Sequence, residues 1–302
     1  MRVLPALIAL TLLAPMAAAP PPAPAPVHRI EQVTADSYCI FGQGGNIGLV
    51  VTARHAVLID SQFEPLVPGL LETVRTVTDK PVKYLINTHV HGDHTGGNRA
   101  LASQVTAIIA HANVRRRLEA EQAKLPPAQR GGLPELLLGS QDAAEQARLD
   151  IHLDDTDLHL VHRGPAHTDG DVIVGVPGTR MLHMGDLFFN GILPFVDTER
   201  GGSFDGLVSQ LDWLASWVPE DVKIIPGHGP VCGKAQLLRY RDFLKAVQAH
   251  VKTHPGLDPR ALAAGFDQAA WPGWKPTPTF VTWETLFAAA SGQGPGRVKS
   301  PA

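Results

Sequence analysis

Between Thr88 and Thr95 the chain reads THVHGDHT, three histidines and one aspartate within six positions, directly after the apolar run VKYLI. Ionisable groups held this close to a buried strand end are costly unless something pairs with them. Imidazole and carboxylate together are a donor set for a divalent cation. His89 and His91, two apart on an extended segment, send their side chains to one face. Gly92 then permits a sharp turn. That turn is expected to place Asp93 and His94 at the start of the next helix, facing the same pocket from the other side. A helix N-terminus disfavours protonation of His94 and favours the charge on Asp93, and ligation needs neutral imidazole. One short segment is thus expected to serve two neighbouring metal positions.

Two ions need more ligands than this segment holds. Further donors stand at predicted strand ends: His167 in GPAHTDGDVIV, Asp186 in MLHMGDLFF and His228 in IIPGHGP. No serine sits in a strand-turn-helix glycine elbow, so the serines of DSQF and SFDG read as surface or capping residues.

The rest of the chain supplies a frame for these donors. Residues 28–60 alternate β-branched and polar residues as a meander of strands, and Pro65 to Lys80 has helical spacing of Val67, Leu70, Leu71, Val74 and Val77. Strand, short helix, strand (VTAIIA) and polar helix (HANVRRRLEAEQAKL) follow. Residues 125–148, with Pro126, Pro127 and Pro134, read as an irregular connector. A second strand-rich block comes next, with VPGTR as a tight turn whose glycine takes positive φ. The helix SFDGLVSQLDWLASWV, the buried strand KIIPGH, a long helix from Gly233 and two short helical patterns complete the chain. Such alternation points to a layered α/β fold. With 302 residues, 44% hydrophobic and 18% charged, one large domain is expected. A net charge of −3 offers no basic field for nucleic acid, which leaves a small-molecule substrate; the oligomeric state stays open.

Arg2, the apolar run Val3–Leu13 and the small residues after it have the layout of a cleaved secretory signal peptide over 1–19. The run is shorter than the roughly 20 residues that span a bilayer. No stable membrane insertion is therefore expected after cleavage, and the mature protein is expected to be secreted or periplasmic. Residues 20–27 form a Pro-rich spacer, 28–255 the catalytic domain and 256–302 a helical tail with a polar, frayed end. Cys39 and Cys232 either pair or stay separate buried thiols.

The motif His89-Val90-His91-Gly92-Asp93-His94, followed by His167, Asp186 and His228, resembles the metallo-β-lactamase superfamily over about residues 28–250. The resemblance implies a four-layer αββα sandwich, with extra C-terminal helices here. It implies that His89, His91 and His167 hold one divalent ion, that Asp93, His94 and His228 hold the other, and that Asp186 bridges them. The ions are expected to be zinc. A water shared between them, its pKa lowered toward neutrality, would be the nucleophile toward an ester, thioester, lactone or lactam, with Asp93 moving its proton. The β-lactamases proper carry Cys or Ser where this chain has Asp186, so true β-lactamase activity is the alternative. A non-hydrolytic di-iron redox or metal-storage protein is the alternative of another class. His183 is a candidate to hydrogen-bond a ligand from behind, and Asn190 a candidate substrate contact. Arg239, Arg241 and Lys245 read as a solvated face rather than an anion clamp, and Arg115 to Arg117 as helix surface. Trp271, Trp274 and Trp283 read as anchors of the tail or as a cap on the pocket mouth.

Overall fold

A computed structural model describes residues 28–142, 144–277 and 280–293. The expected leader, spacer and frayed polar end lie outside them. The chain opens as an antiparallel meander, β1 (Arg29–Gln32), β2 (Ser37–Phe41), β3 (Ile47–Val51) and β4 (Ala56–Ile59). Helix α1 (Val67–Arg75) crosses to β5 (Val82–Ile86), and the short α2 (Gly92–Thr95) and α3 (Asn98–Leu101) lead to β6 (Ala107–His111). Helix α4 (Ala112–Gln122) leads to β7 (Leu136–Leu138). Strands β4 to β7 pair in parallel, which requires crossovers of this kind. The second sheet begins with β8 (Ala147–Leu153), β9 (Thr156–His162), β10 (Ile173–Val176) and β11 (Met181–Phe189). Helix α5 (Phe204–Trp217) then crosses to β12 (Lys223–His228), parallel to β11. Helices α6 (Lys234–Thr253), α7 (Pro259–Gly265) and α8 (Trp283–Ala290) follow.

Side-chain alternation builds the layers. In β4, Val57 and Ile59 join a core with Leu158, Leu160, Val174 and Ile225 between the two sheets. Their neighbours Ala56 and Leu58 point the other way, onto Leu70 and Val74 of α1. Leu182, Met184 and Phe188 of β11 face outward to Leu207 and Leu211 of α5 and to Leu237, Tyr240 and Phe243 of α6. A period of two thus puts a helix layer outside each sheet, the αββα sandwich. Backbone bonds tie the sheets where the donors gather: Asn46 N–H donates to Gly227 O at 2.7 Å, and Val172 N–H to Thr88 O at 2.7 Å.

Three local expectations change. Helix α1 stops at Arg75 rather than Lys80, because Thr76, Thr78 and Asp79 favour local turns over helix. The connector 125–148 contains β7, three residues paired with β6, too short to show a period in the sequence. In VPGTR it is Arg180, not Gly178, that takes positive φ, at 55°. The residues Pro177–Thr179 form a 3-10 turn, and Arg180 closes it with its side chain on Asp221 and its carbonyl on Lys223 N–H.

Among the described residues no helix is long and apolar enough to cross a membrane. Both cysteines are free thiols, and burial pushes Cys232 up to about 12. The tail tryptophans anchor: Trp274 stacks on Phe243 at 4.9 Å, and Trp271 and Trp283 approach the same ring at 5.6 and 5.9 Å. Trp274 Nε1–H also donates to Phe189 O, 3.2 Å away. Trp274→Ala is expected to cost about 3 to 5 kcal/mol, read as a fall in the urea midpoint at constant slope.

Candidate metal centre

Donors that follow β5 and end β12 meet Asp186, which lies inside β11 rather than at its end as expected, and His167, in the loop between β9 and β10. The chain leaves β5 at Ile86, so His89 and His91 lie in a bend, not on a strand as expected. They converge by using different nitrogens: His89 Nε2 lies 3.1 Å from His91 Nδ1. Nor does Gly92 serve a left-handed turn, since its φ is not positive, and a Cβ added there would meet only Phe63, at 4.0 Å. Asp93 and His94 do sit in the first turn after it, in α2. The glycines that the site requires are Gly45 and Gly227. An added Cβ would fall into the His94 ring at the first and onto Asp186 Oδ1 at the second.

Five imidazoles and two carboxylates gather in two groups. His89, His91, His167 and Asp186 form one, with His167 Nε2 3.0 Å from His91 Nδ1 and 3.5 Å from Asp186 Oδ2. Asp93, His94 and His228 form the other. Asp186 reaches both: its Oδ1 lies 3.2 Å from His94 Nε2 and its Oδ2 3.4 Å from His228 Nε2.

Outer partners fix the tautomers. Thr88 Oγ1 donates to Asp60 Oδ2 at 2.7 Å, so its lone pair takes the Nδ1 proton of His89 at 3.0 Å. Asp197 accepts from His91 Nε2 at 2.8 Å, Phe195 O from His167 Nδ1 at 2.7 Å, and Asp60 from His94 Nδ1 at 2.7 Å. His89, His91 and His167 each thereby turn a bare lone pair inward. The 3.0 and 3.1 Å contacts among His89, His91 and His167 are then lone pair against lone pair, which is repulsive without a cation between them. They approach the roughly 3.3 Å separation that tetrahedral bonds of 2.0–2.1 Å would give. His94 Nε2 and Asp186 Oδ1 are also buried without a hydrogen-bond partner. The donor set fits divalent metal.

The two groups differ in charge. Burial pushes His167 down to about 4 and His89 well below its usual value, so both are neutral at pH 7. At His228 burial also disfavours charge, yet the Asp186 and Asp93 carboxylates outweigh it and raise the ring to about 9. Asp186 and Asp60 hold His94 well above its usual value against the same burial.

Sequence reasoning missed the outer partners. Asp60, fully buried at φ 67°, looked like a strand-end residue, and Asp197 like part of a loop. His183 hydrogen-bonds Asn46 O and Gly185 N–H rather than a ligand. Asn190 uses its side-chain amide on Pro230 O at 2.8 Å, bracing the turn after His228. Arg115 to Arg117 are more than helix surface: Arg117 holds Asp169, in the loop that carries His167, through two bonds of 2.8 and 2.6 Å, and Arg116 bonds the same carboxylate. Arg241 and Lys245 pair with Asp212 on the surface.

Comparison with known proteins places this geometry. The family model described as the metallo-beta-lactamase superfamily matches residues 40–234. A metallo-beta-lactamase type 2 of Bacillus sp. (strain 170) is 30% identical over 66% of this chain and 72% of its own length. The hydroxyacylglutathione hydrolase GloC of Haemophilus influenzae is 27% identical over 64% of this chain and 89% of its own. Among solved structures, a metallo-beta-lactamase from Pontibacter korlensis superposes with a TM-score of 0.58 at 21% identity, over 72% of this chain and 99% of that one. Coverage is uneven, and of one curated relative the chain spans 41% of the length.

Two outcomes are expected. Asp60→Asn removes the carboxylate that orients His94 and, through Thr88, His89, and should weaken binding at both donor groups about 10- to 100-fold, measured by competition with a chromophoric chelator. At pH 7 an ion entering the Asp93, His94 and His228 group must displace the proton of His228. Calorimetry in buffers of different ionisation enthalpy should show proton release there and none from His89 or His167 in the other group. The affinity of the second group should therefore fall as pH drops below about 9, the His228 value; equal release from both would contradict the assignment.

Proposed function

The chain belongs to the metallo-beta-lactamase superfamily and carries its dinuclear type of metal site, and from that premise we propose that it is an exported zinc hydrolase of a small carbonyl substrate. The substrate class is an ester, thioester, lactone or lactam. The observation that carries this reading is Asp186, one buried carboxylate whose two oxygens reach both donor groups. Divalent ions held there would polarise a carbonyl and supply hydroxide near pH 7. The chain's own residues do the rest. Thr88, Asp197, Phe195 O and Asp60 lock the imidazoles in the ligating tautomer, so no reorganisation is needed during reaction. Asp93 Oδ2, 3.3 Å from His228 Nε2, belongs to a side chain 24% exposed, against 5% for Asp186. It therefore faces the solvent side, where it can accept the proton of the attacking water and pass it to the leaving group.

Neither the serine of DSQF nor that of SFDG competes for the role of nucleophile. Ser61 is buried and bonded to His94 O and Asn98, and Ser203 caps α5. The leader-like segment 1–19 supports export to the periplasm or the medium. Lactam hydrolysis is the second reading, supported by the 30% identical relative that bears that name.

A panel of nitrocefin, a thioester and a lactone, run on zinc-loaded protein, should give turnover of at least one member that a chelator removes. Asp93→Ala should lower that turnover by at least about 100-fold with the circular dichroism spectrum retained. Two bound irons with a visible redox band would overturn the hydrolytic reading.

A further inference from the structure

Two large aromatic side chains border the donor cluster while standing half in water. Phe280 is 56% exposed and Phe63 is 40% exposed. Single exposed apolar residues are ordinary, but aromatic side chains gathered around one cluster of polar donors mark a contact surface.

Phe280 arrives from the C-terminal segment. Trp274 is wedged into the core, Lys275 O accepts from Leu193 N–H at 2.9 Å, and Lys275 bridges to Ile192. These bonds lay the segment along the loop that follows β11. Thr277 then fixes the end of the segment, its carbonyl accepting from Phe280 N–H at 3.3 Å and its hydroxyl from Val281 N–H at 2.8 Å. The Phe280 ring lies 4.9 Å from Phe195, whose own ring is 6.0 Å from both His91 and His167.

Phe63 stands beside the other donor group. A Cβ added to Gly44 would sit between Asp93 Cβ and Phe63 Cε2, and one on Gly92 would meet Phe63 Cε1. The backbone just before it is strained, with Asp60 and Gln62 at φ 67° and 52°. Such conformations persist only where the surroundings enforce them. Gln62 is enforced by its amide, which donates to Gly45 O at 2.7 Å.

We propose that Phe63, Phe195 and Phe280 form an apolar mouth that selects a carbonyl substrate carrying an alkyl or aryl acyl group, with the C-terminal segment supplying one wall. This rests on the hydrolytic reading above and narrows its substrate. An acyl chain leaving water between these rings gains free energy with each methylene.

The test uses the zinc-loaded full chain with p-nitrophenyl acetate and octanoate. The octanoate-to-acetate ratio of kcat/KM should exceed about 10 and fall about tenfold in Phe280→Ala. A ratio near one, or a ratio that Phe280→Ala does not change, would overturn the mouth and leave the hydrolase standing. Binding of the neutral fluorophore N-phenyl-1-naphthylamine gives a readout independent of turnover. Phe280→Ser combined with Phe63→Ser should raise its Kd about tenfold, while Leu257→Ser, at an exposed apolar residue after α6, should not. Weakening by Leu257→Ser alone would overturn the mouth. If neither ester is turned over yet the double variant loses the probe, the mouth stands and ester hydrolysis fails.

Discussion

The Asp186 carboxylate is the constraint on which the rest of the site depends. It is 5% exposed and lies within 4 Å of four imidazoles, those of His89, His94, His167 and His228. Burial works against its charge, yet the surrounding histidines hold it far below the usual carboxylate range. A buried charge of this kind is tolerable only when paired on every side. The sandwich does this by ending β5, β11 and β12 at one edge. Gly227 clears the space into which Asp186 Oδ1 points, and Gly45 does the same for the His94 ring.

Around this centre hydrogen bonds orient the imidazoles. Asp60 serves three groups at once, Thr88 N–H, Thr88 Oγ1 and His94 Nδ1, so a single carboxylate sets the tautomers of His94 and, through Thr88, of His89. Asp197 sets that of His91 and is itself held by Arg200, which reaches α4 through Glu121. The same helix grips Asp169 through Arg116 and Arg117. Helix α4 therefore clamps both loops that position the first donor group, a function that its polar composition conceals.

The sandwich and its donors were legible where the information is local. The alternation of Val57 and Ile59 with Ala56 and Leu58, and the polar residues His167, Asp186 and His228 set in apolar runs, are read from the chain one segment at a time. What stayed hidden depends on distant partners. Arg115 to Arg117 look alike in sequence, and only the loop packed against α4 separates Arg117, bidentate on Asp169, from Arg115, which meets Glu119 one turn away. The C-terminal tryptophans were recognisable as apolar anchors. That Phe280 is the residue brought to the metal centre follows from the bridge between Ile192 and Lys275, a pairing of residues over eighty positions apart.

By itself the sequence determined the donor set, its order and the strand and helix periods that compel a layered fold, because ligand chemistry and side-chain alternation are properties of residue type and spacing. Tertiary structure decided which nitrogen of each histidine turns inward, which glycines must lack a side chain and which aromatic rings stand beside the donors. These depend on hydrogen bonds and contacts from Asp60, Asp197, Phe195 and the tail, and a buried hydrogen bond or a close approach exists only once remote segments have packed.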